Sequence, residues 1–266
     1  MRTDFCRAAT SYDEAAVLAR EVSLRMTARL DFMKLAPTRI ADIGCATGDG
    51  IRTLAARYPQ AMPLALDYAP AMLAEVARRS SLLERLRRRA PRCVAADVRA
   101  LPVANGALTL AWSNLMLHWL DDPLPAFGEL HRVLETGGLL MFSTLGPDTL
   151  KELRAAGATT LRRFHDMHDL GDMLVAAGFA DPVMDMEMIE LSYTSPRGLL
   201  RDQRLLGVRD GLLGPMGFRA GRRVFRAWNE SRREGRLPAT FEIVYGHAWK
   251  AEPKTTADGR AIVRFR

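Results

Sequence analysis

The chain has 266 residues, 48% of them hydrophobic and 26% charged, and 38 Lys+Arg against 31 Asp+Glu leave a net charge of +7. That apolar content excludes a disordered chain, and 20 Gly with 14 Pro exclude a fibrous repeat. No apolar run approaches the roughly 20 residues that cross a bilayer, and Met1-Arg2-Thr3-Asp4-Phe5-Cys6-Arg7 lacks the apolar core of a secretory signal. The expectation is therefore a cytoplasmic protein with no membrane association. Cys6, Cys45 and Cys93 are too scattered for a disulfide framework or a zinc site, and the histidines add no ligand spacing, so no metal is expected.

Ser11-Tyr12-Asp13-Glu14 has the form of a capping box, and Leu18, Val22, Met26, Leu30 and Met33 follow at helical spacing. Together they predict one amphipathic helix from Ser11 to near Pro37. Short apolar runs then alternate with helical patterns. Strands are expected at Arg39–Ile43, Met62–Leu66, Arg92–Ala96, Ala107–Ser113 and Leu139–Thr144, with Gly137-Gly138 stopping the helix before the fifth. This alternation predicts an α/β fold, a doubly wound, mostly parallel seven-stranded sheet. A helix is expected over Leu170–Ala177. Pro182–Tyr193 alternates, but its apolar phase slips between Met188 and Ile189, which reads as a bulged, exposed strand. Thr240–Lys250 is the last strand. The expected organisation is an N-terminal helical cap over 1–36, a cofactor-binding α/β domain over 37–196, a basic helical insert over 197–237 and a final strand with its tail over 238–266.

Ala41-Asp42-Ile43-Gly44-Cys45-Ala46-Thr47-Gly48 falls at a strand-to-helix turn, where glycine lets backbone approach a ligand. Asp67 ends the second strand, 19 residues past Gly48, where a carboxylate can accept from two ribose hydroxyls. Asp97 ends the third, placed to meet a base edge. NAD binding calls for Gly-x-Gly-x-x-Gly, whereas the glycines here are Gly44, Gly48 and Gly50 behind Asp42. The spacing resembles instead the S-adenosylmethionine loop of class I methyltransferases. That resemblance implies a cofactor site of Asp42, Gly44, Cys45, Ala46 and Gly48 in the loop, Asp67 with Tyr68, Asp97 with Val98, and Ser113 with Asn114.

Trp112–Trp119 lacks the Pro-Pro-aromatic motif of methyltransferases acting on adenine or glutamine, and no Cys sits at this edge to attack RNA cytosine, so nucleic acid is not the expected substrate. Four stretches, Phe5–Glu21, Ser113–Trp119, Phe142–Arg154 and Pro238–Trp249, resemble the malonyl-acyl-carrier-protein O-methyltransferases of biotin synthesis over nearly the whole chain. A related branch thought to hydroxylate a protein arginine, a mitochondrial assembly factor, shares G-x-D-T-L-x-E-L-R and P-A-T-F. The chain departs from the pattern at Ala46, where the family has Gly, in a shortened stretch between Arg154 and Phe164, and at Leu206-Gly207-Val208-Arg209-Asp210.

The resemblance implies S-adenosylmethionine as methyl donor and a malonyl thioester, on an acidic acyl-carrier protein or on coenzyme A, as acceptor. A malonyl carboxyl, with a reference pKa near 4, is ionised at neutral pH and needs no general base. The early S-Y-D motif of the family places Tyr12 over the active site, as the candidate that orients this carboxylate. His118 and Trp119 are candidate walls of the substrate pocket. Eleven arginines and four acids lie within 197–236, which accounts for the whole net charge of +7. With few aromatics interleaved, that segment suits an acidic carrier better than a nucleic acid.

Overall fold

The computed structural model describes residues 2–86 and 89–252. Strands β1 (Arg39–Ile43), β2 (Met62–Asp67), β3 (Arg92–Ala95), β4 (Leu108–Asn114), β5 (Leu134–Leu145), β6 (Ala180–Tyr193) and β7 (Leu237–Trp249) form one sheet in the order β3-β2-β1-β4-β5-β7-β6. All neighbours are parallel except β7, which runs antiparallel to both β5 and β6. Both faces are covered, which is why the central strands read as continuous apolar runs. Ile40, Leu110, Leu139 and Met141 face one core, and the adjacent Ala41, Ala111, Leu140 and Phe142 face the other.

The helices are α1 (Arg2–Ala8), α2 (Tyr12–Ala15), α3 (Val17–Arg29), α4 (Asp49–Arg57), α5 (Pro70–Arg79), α6 (Leu82–Leu86), α7 (Leu124–Val133), α8 (Lys151–Ala155), α9 (Met167–Ala176), α10 (Pro196–Leu205), α11 (Arg209–Leu213) and α12 (Phe218–Glu230). Helices α3, α4 and α12 contribute to the first core, α7 and α9 to the second. The stretch between β6 and β7 is thus three helices, and the tail expected beyond the last strand lies, from residue 253, outside the described residues.

Three expectations about elements need correction. The N-terminal helix is not continuous. Helix α1 precedes it, and a break at Ala16 separates α2 from α3. The capping box is not formed, because Ser11 Oγ donates to Ala8 O at 3.2 Å and to Leu205 O at 3.1 Å rather than capping α2. The apolar stripe does hold: Val22, Met26 and Leu30 are fully buried against the sheet.

Gly137-Gly138 does not end α7, which stops at Val133. The chain enters β5 at Leu134, and the glycine pair lies where the β4–β5 register shifts.

In β6 the register is continuous from Val183 to Tyr193, and its bulge sits at 181–182, where Asp181 has φ +48°. The slip in apolar phase has a different cause. Met184, on one face, packs with the core of α7 and α9, while Ile189, Leu191 and Tyr193, on the other, pack with the core of α3 and α12. The two ends of the strand are covered on different faces, and between them Met186 and Met188, on the face of Met184, stay exposed.

Candidate active site

The loop after β1 crosses the carboxyl edge of the sheet. Gly44 (φ +77°) and Gly48 (φ +92°) take left-handed conformations that glycine adopts freely. A Cβ on Gly44 would lie 2.3 Å from Met116, and one on Gly48 would lie 2.9 Å from Val76 of α5, so both positions also permit close packing. Ala46 holds φ +45° without being glycine, a conformation costing on the order of 1 kcal/mol.

Beyond the loop open two adjoining cavities of about 760 and 550 Å³, which share Tyr12, Gly44, Ala46 and Asn114. The larger also reaches Asp42 and Cys45. The smaller runs across the strand ends past Asp67, Tyr68, Asp97, Val98 and Trp119. Two of the expected cofactor residues do not reach either cavity. Ser113 is fully buried with its hydroxyl donating to Ile43 O at 2.9 Å, and Gly48 turns toward α5. Cys45 is buried, which pushes its thiol pKa up and leaves it no thiolate character.

The three strand-end acids differ. Asp42 is 2% exposed, and burial raises its pKa to about 7 although it accepts a hydrogen bond from the backbone N–H of Ile51 in the first turn of α4. Gly50 makes room for it, since a Cβ there would lie 2.6 Å from Oδ2. Asp67 accepts from Ala46 N at 2.9 Å and Ala69 N at 2.8 Å, with burial again raising its pKa. Asp97, more open, is gripped by Arg99 through Nε at 3.0 Å and Nη2 at 2.6 Å, and this bonding lowers its pKa. Sequence reasoning passed over Arg99, although its two-residue spacing from Asp97 was visible.

The S-Y-D motif divides its labour. Ser11 ties the α1–α2 link to α10. Asp13 accepts from Thr47 Oγ1 at 2.6 Å and pairs with Arg79, which also contacts Asp49 at 3.3 Å, so it fastens α2 to the cofactor loop. Tyr12 borders both cavities and a third, smaller chamber. Burial, with the charges of Asp67, Asp49 and Asp42, raises the pKa of its hydroxyl, which therefore stays protonated as a donor. Asn114 holds α3 over the cleft, donating to Ala19 O at 2.9 Å and accepting from Ser143 Oγ at 2.7 Å.

His118 does not face the two large cavities. It lines the third chamber, 7% exposed, and stacks near Trp119 and Phe164 with ring centroids 4.6 and 5.8 Å away. Burial and the nearby Arg162 lower its pKa to about 3, so the imidazole is neutral at physiological pH.

S-adenosylmethionine fits this cleft better than a dinucleotide. At the start of α4, where N–H groups would cradle a pyrophosphate, the Ile51 N–H already donates to the carboxylate of Asp42. No anion need bind there. The acids along the cleft suit a cofactor that carries a sulfonium, an ammonium and two ribose hydroxyls.

A methyltransferase domain family matches residues 41–142. Among solved structures, YcgJ from Bacillus subtilis is 14% identical with a TM-score of 0.60, covering 85% of this chain and 98% of that one. Phosphoethanolamine N-methyltransferase 2 of Haemonchus contortus, solved with S-adenosyl-L-methionine, is 16% identical with a TM-score of 0.58, covering 92% and 57%. Fold and cleft together define a class I S-adenosylmethionine-dependent methyltransferase, with S-adenosylmethionine as its cofactor.

Two curated relatives narrow the class. A protein of Gallionella capsiferriformans is 50% identical over 99% of this chain and 94% of its own length, and one of Laribacter hongkongensis is 49% identical over 100% and 94%. Both are named malonyl-acyl-carrier-protein O-methyltransferase, and the chain belongs to that family. The names stand against the arginine-hydroxylase alternative. No helix among the described residues is long and apolar enough to cross a membrane.

Proposed function

We propose that this chain esterifies the free carboxylate of a malonyl thioester borne on an acyl-carrier protein, as in biotin synthesis, and that it does so in the cytoplasm. The observation that carries the reading is the position of Tyr12, a protonated hydroxyl between the cofactor cleft and a smaller chamber, in a chain half identical to enzymes named for this activity. Bound S-adenosylmethionine supplies an electrophilic methyl, so that a C–O bond forms to the carboxylate as the methyl–sulfur bond breaks and a neutral thioether leaves.

The chain's own contribution is placement. An ionised acceptor needs no base, and orientation alone can supply roughly 7–11 kcal/mol. A neutral Tyr12 hydroxyl can hold one carboxylate oxygen without pairing off its charge, which leaves the other free to attack. Phe5 and Trp119, packed edge to face with centroids 5.7 Å apart, give the same wall an apolar surface.

An acidic carrier has a matching surface. Arg219, Arg222, Arg223 and Arg226 form one exposed face of α12 and make no ion pair with a described residue, while Val224 and Trp228 bury the opposite face. Incubation with S-adenosylmethionine and malonyl-carrier protein should add one methyl group, read by intact mass. An unmodified carrier, with malonyl-CoA likewise unmethylated, would overturn the reading.

A further inference from the structure

Beside Tyr12 lies a small chamber of about 90 Å³, bordered also by His118, Trp119, Gln203 and Val208. A larger cleft of about 630 Å³ opens between α1 and the α10–α11 turn, and Trp119, Gln203 and Val208 border it as well. Its walls are firmly joined. A Cβ on Gly207 would lie 2.8 Å from Asp4 O and 2.9 Å from Ala8, so the turn lies directly against α1, and the Ser11–Leu205 hydrogen bond closes the far side. Two side chains along this path are buried and unsatisfied, Gln203 where cleft and chamber meet and His118 on the chamber wall alone. Gln203 is 3% exposed with no partner for Oε1, and His118 is 7% exposed with none for Nδ1, among the described residues. Buried polar atoms are rarely left unpaired, and an uncharged pair of this kind matches a neutral polar ligand. The path ends at Tyr12, on the edge of the cofactor cleft. At its mouth stand the exposed Arg204 and Arg7, the latter paired with Asp4 at 3.8 Å.

We infer that cleft and chamber are the entry path of a pantetheine arm, with the Gln203 amide pairing with an amide of the arm and His118 facing the thioester end. The inference rests on the activity proposed above. A primary amide offers two N–H donors and a carbonyl acceptor, so it can accept from the N–H of a secondary amide or donate to its carbonyl. The arm is common to a loaded carrier protein and to coenzyme A, and the arginines at the mouth suit the phosphate at its outer end.

Gln203→Met keeps length and removes both hydrogen-bonding ends. Calorimetric titration of the full chain with pantetheine should show affinity falling roughly three- to tenfold in the variant, the worth of one hydrogen bond. KM should rise by a similar factor for both malonyl-carrier protein and malonyl-CoA with kcat little changed. Monoethyl malonate, which has no arm, should be methylated equally by both proteins, and S-adenosylmethionine affinity and Tm should be retained. A rise confined to the carrier would place Gln203 at a protein contact and overturn the path. So would equal pantetheine affinity, or an equal loss on monoethyl malonate, the mark of a merely structural residue. A wild-type chain that binds pantetheine through Gln203 but methylates no malonyl thioester would refute the activity and uphold the path.

Discussion

Asp42→Asn separates the cost of a buried acid from its use. Folding takes this carboxyl from 3.8 to about 7 by burial, and at 1.36 kcal/mol per pH unit its ionised form costs the cofactor-free fold about 4 kcal/mol. Because the folded chain holds the proton more tightly, this group's contribution is greatest below pH 3.8 and is lost as pH rises through 7. Asparagine keeps an oxygen for the Ile51 N–H and never ionises. Denaturant melts of the cofactor-free proteins at pH 8 should therefore find the variant more stable, by up to about 4 kcal/mol, with the difference narrowing to about 2 kcal/mol at pH 5 and closing below pH 3.8.

The same substitution should weaken the cofactor. A cation bound beside Asp42 favours the carboxylate, so wild-type affinity for S-adenosylmethionine should climb, by at most about tenfold per pH unit, between pH 5.5 and 7. The variant should show no such climb and weaker binding at pH 8. Titration calorimetry across this range checks both. An unstabilised variant would refute the burial cost, and equal pH slopes would remove Asp42 from the cationic end of the cofactor.

Two further outcomes follow from the site. Tyr12→Phe should lower kcat on malonyl-carrier protein by about 10- to 100-fold, the worth of one hydrogen bond to a charged group, with cofactor affinity little changed. Wild-type turnover would take the hydroxyl out of the reaction. Replacing Arg219, Arg222, Arg223 and Arg226 by Glu should raise KM for the carrier, more steeply at low salt, and leave KM for malonyl-CoA unchanged. Equal effects on both substrates would place the docking surface elsewhere.

The sheet was legible because strands buried on both faces make apolar runs with polar breaks, and the acids Asp42, Asp67 and Asp97 fall where those runs stop. What could not be read was where long-range partners override local signals. Ser11 and Glu14 carry a cap pattern, yet Ser11 answers to Leu205, 194 residues away. Ser113 looked available at the end of β4, but Ile43, on the neighbouring β1, takes its hydroxyl. Gln203 sat unremarked in an arginine-rich helix because nothing local shows that it meets His118 at one chamber. The slip in β6 does not mark the bulge, which lies at 181–182, but the exposure expected of that strand holds, since β6 is an edge strand with Met186 and Met188 exposed.

Two of the four segments that resemble the family, Phe142–Arg154 and Pro238–Trp249, border neither of the two large cavities. Gly146–Arg154 and Pro238–Trp249 clasp each other. Leu150 N donates to Thr240 O at 2.6 Å, Thr240 N to Glu152 Oε2 at 3.0 Å and Asp148 N to Glu242 Oε2 at 2.6 Å. Gly146 leaves the space that Glu242 fills, as a Cβ there would come within 2.4 Å of its carboxyl carbon. Pro238 O accepts from Trp228 Nε1 at 2.9 Å, so the clasp also seats α12. Methyl transfer to an anion asks little of acid–base chemistry and much of alignment and dryness. An enzyme for that reaction can share its cofactor loop with its whole class and carry its distinguishing residues in the joints that hold the roof. Here those joints are this clasp on one side, and Ser11 and Asp13 on the other.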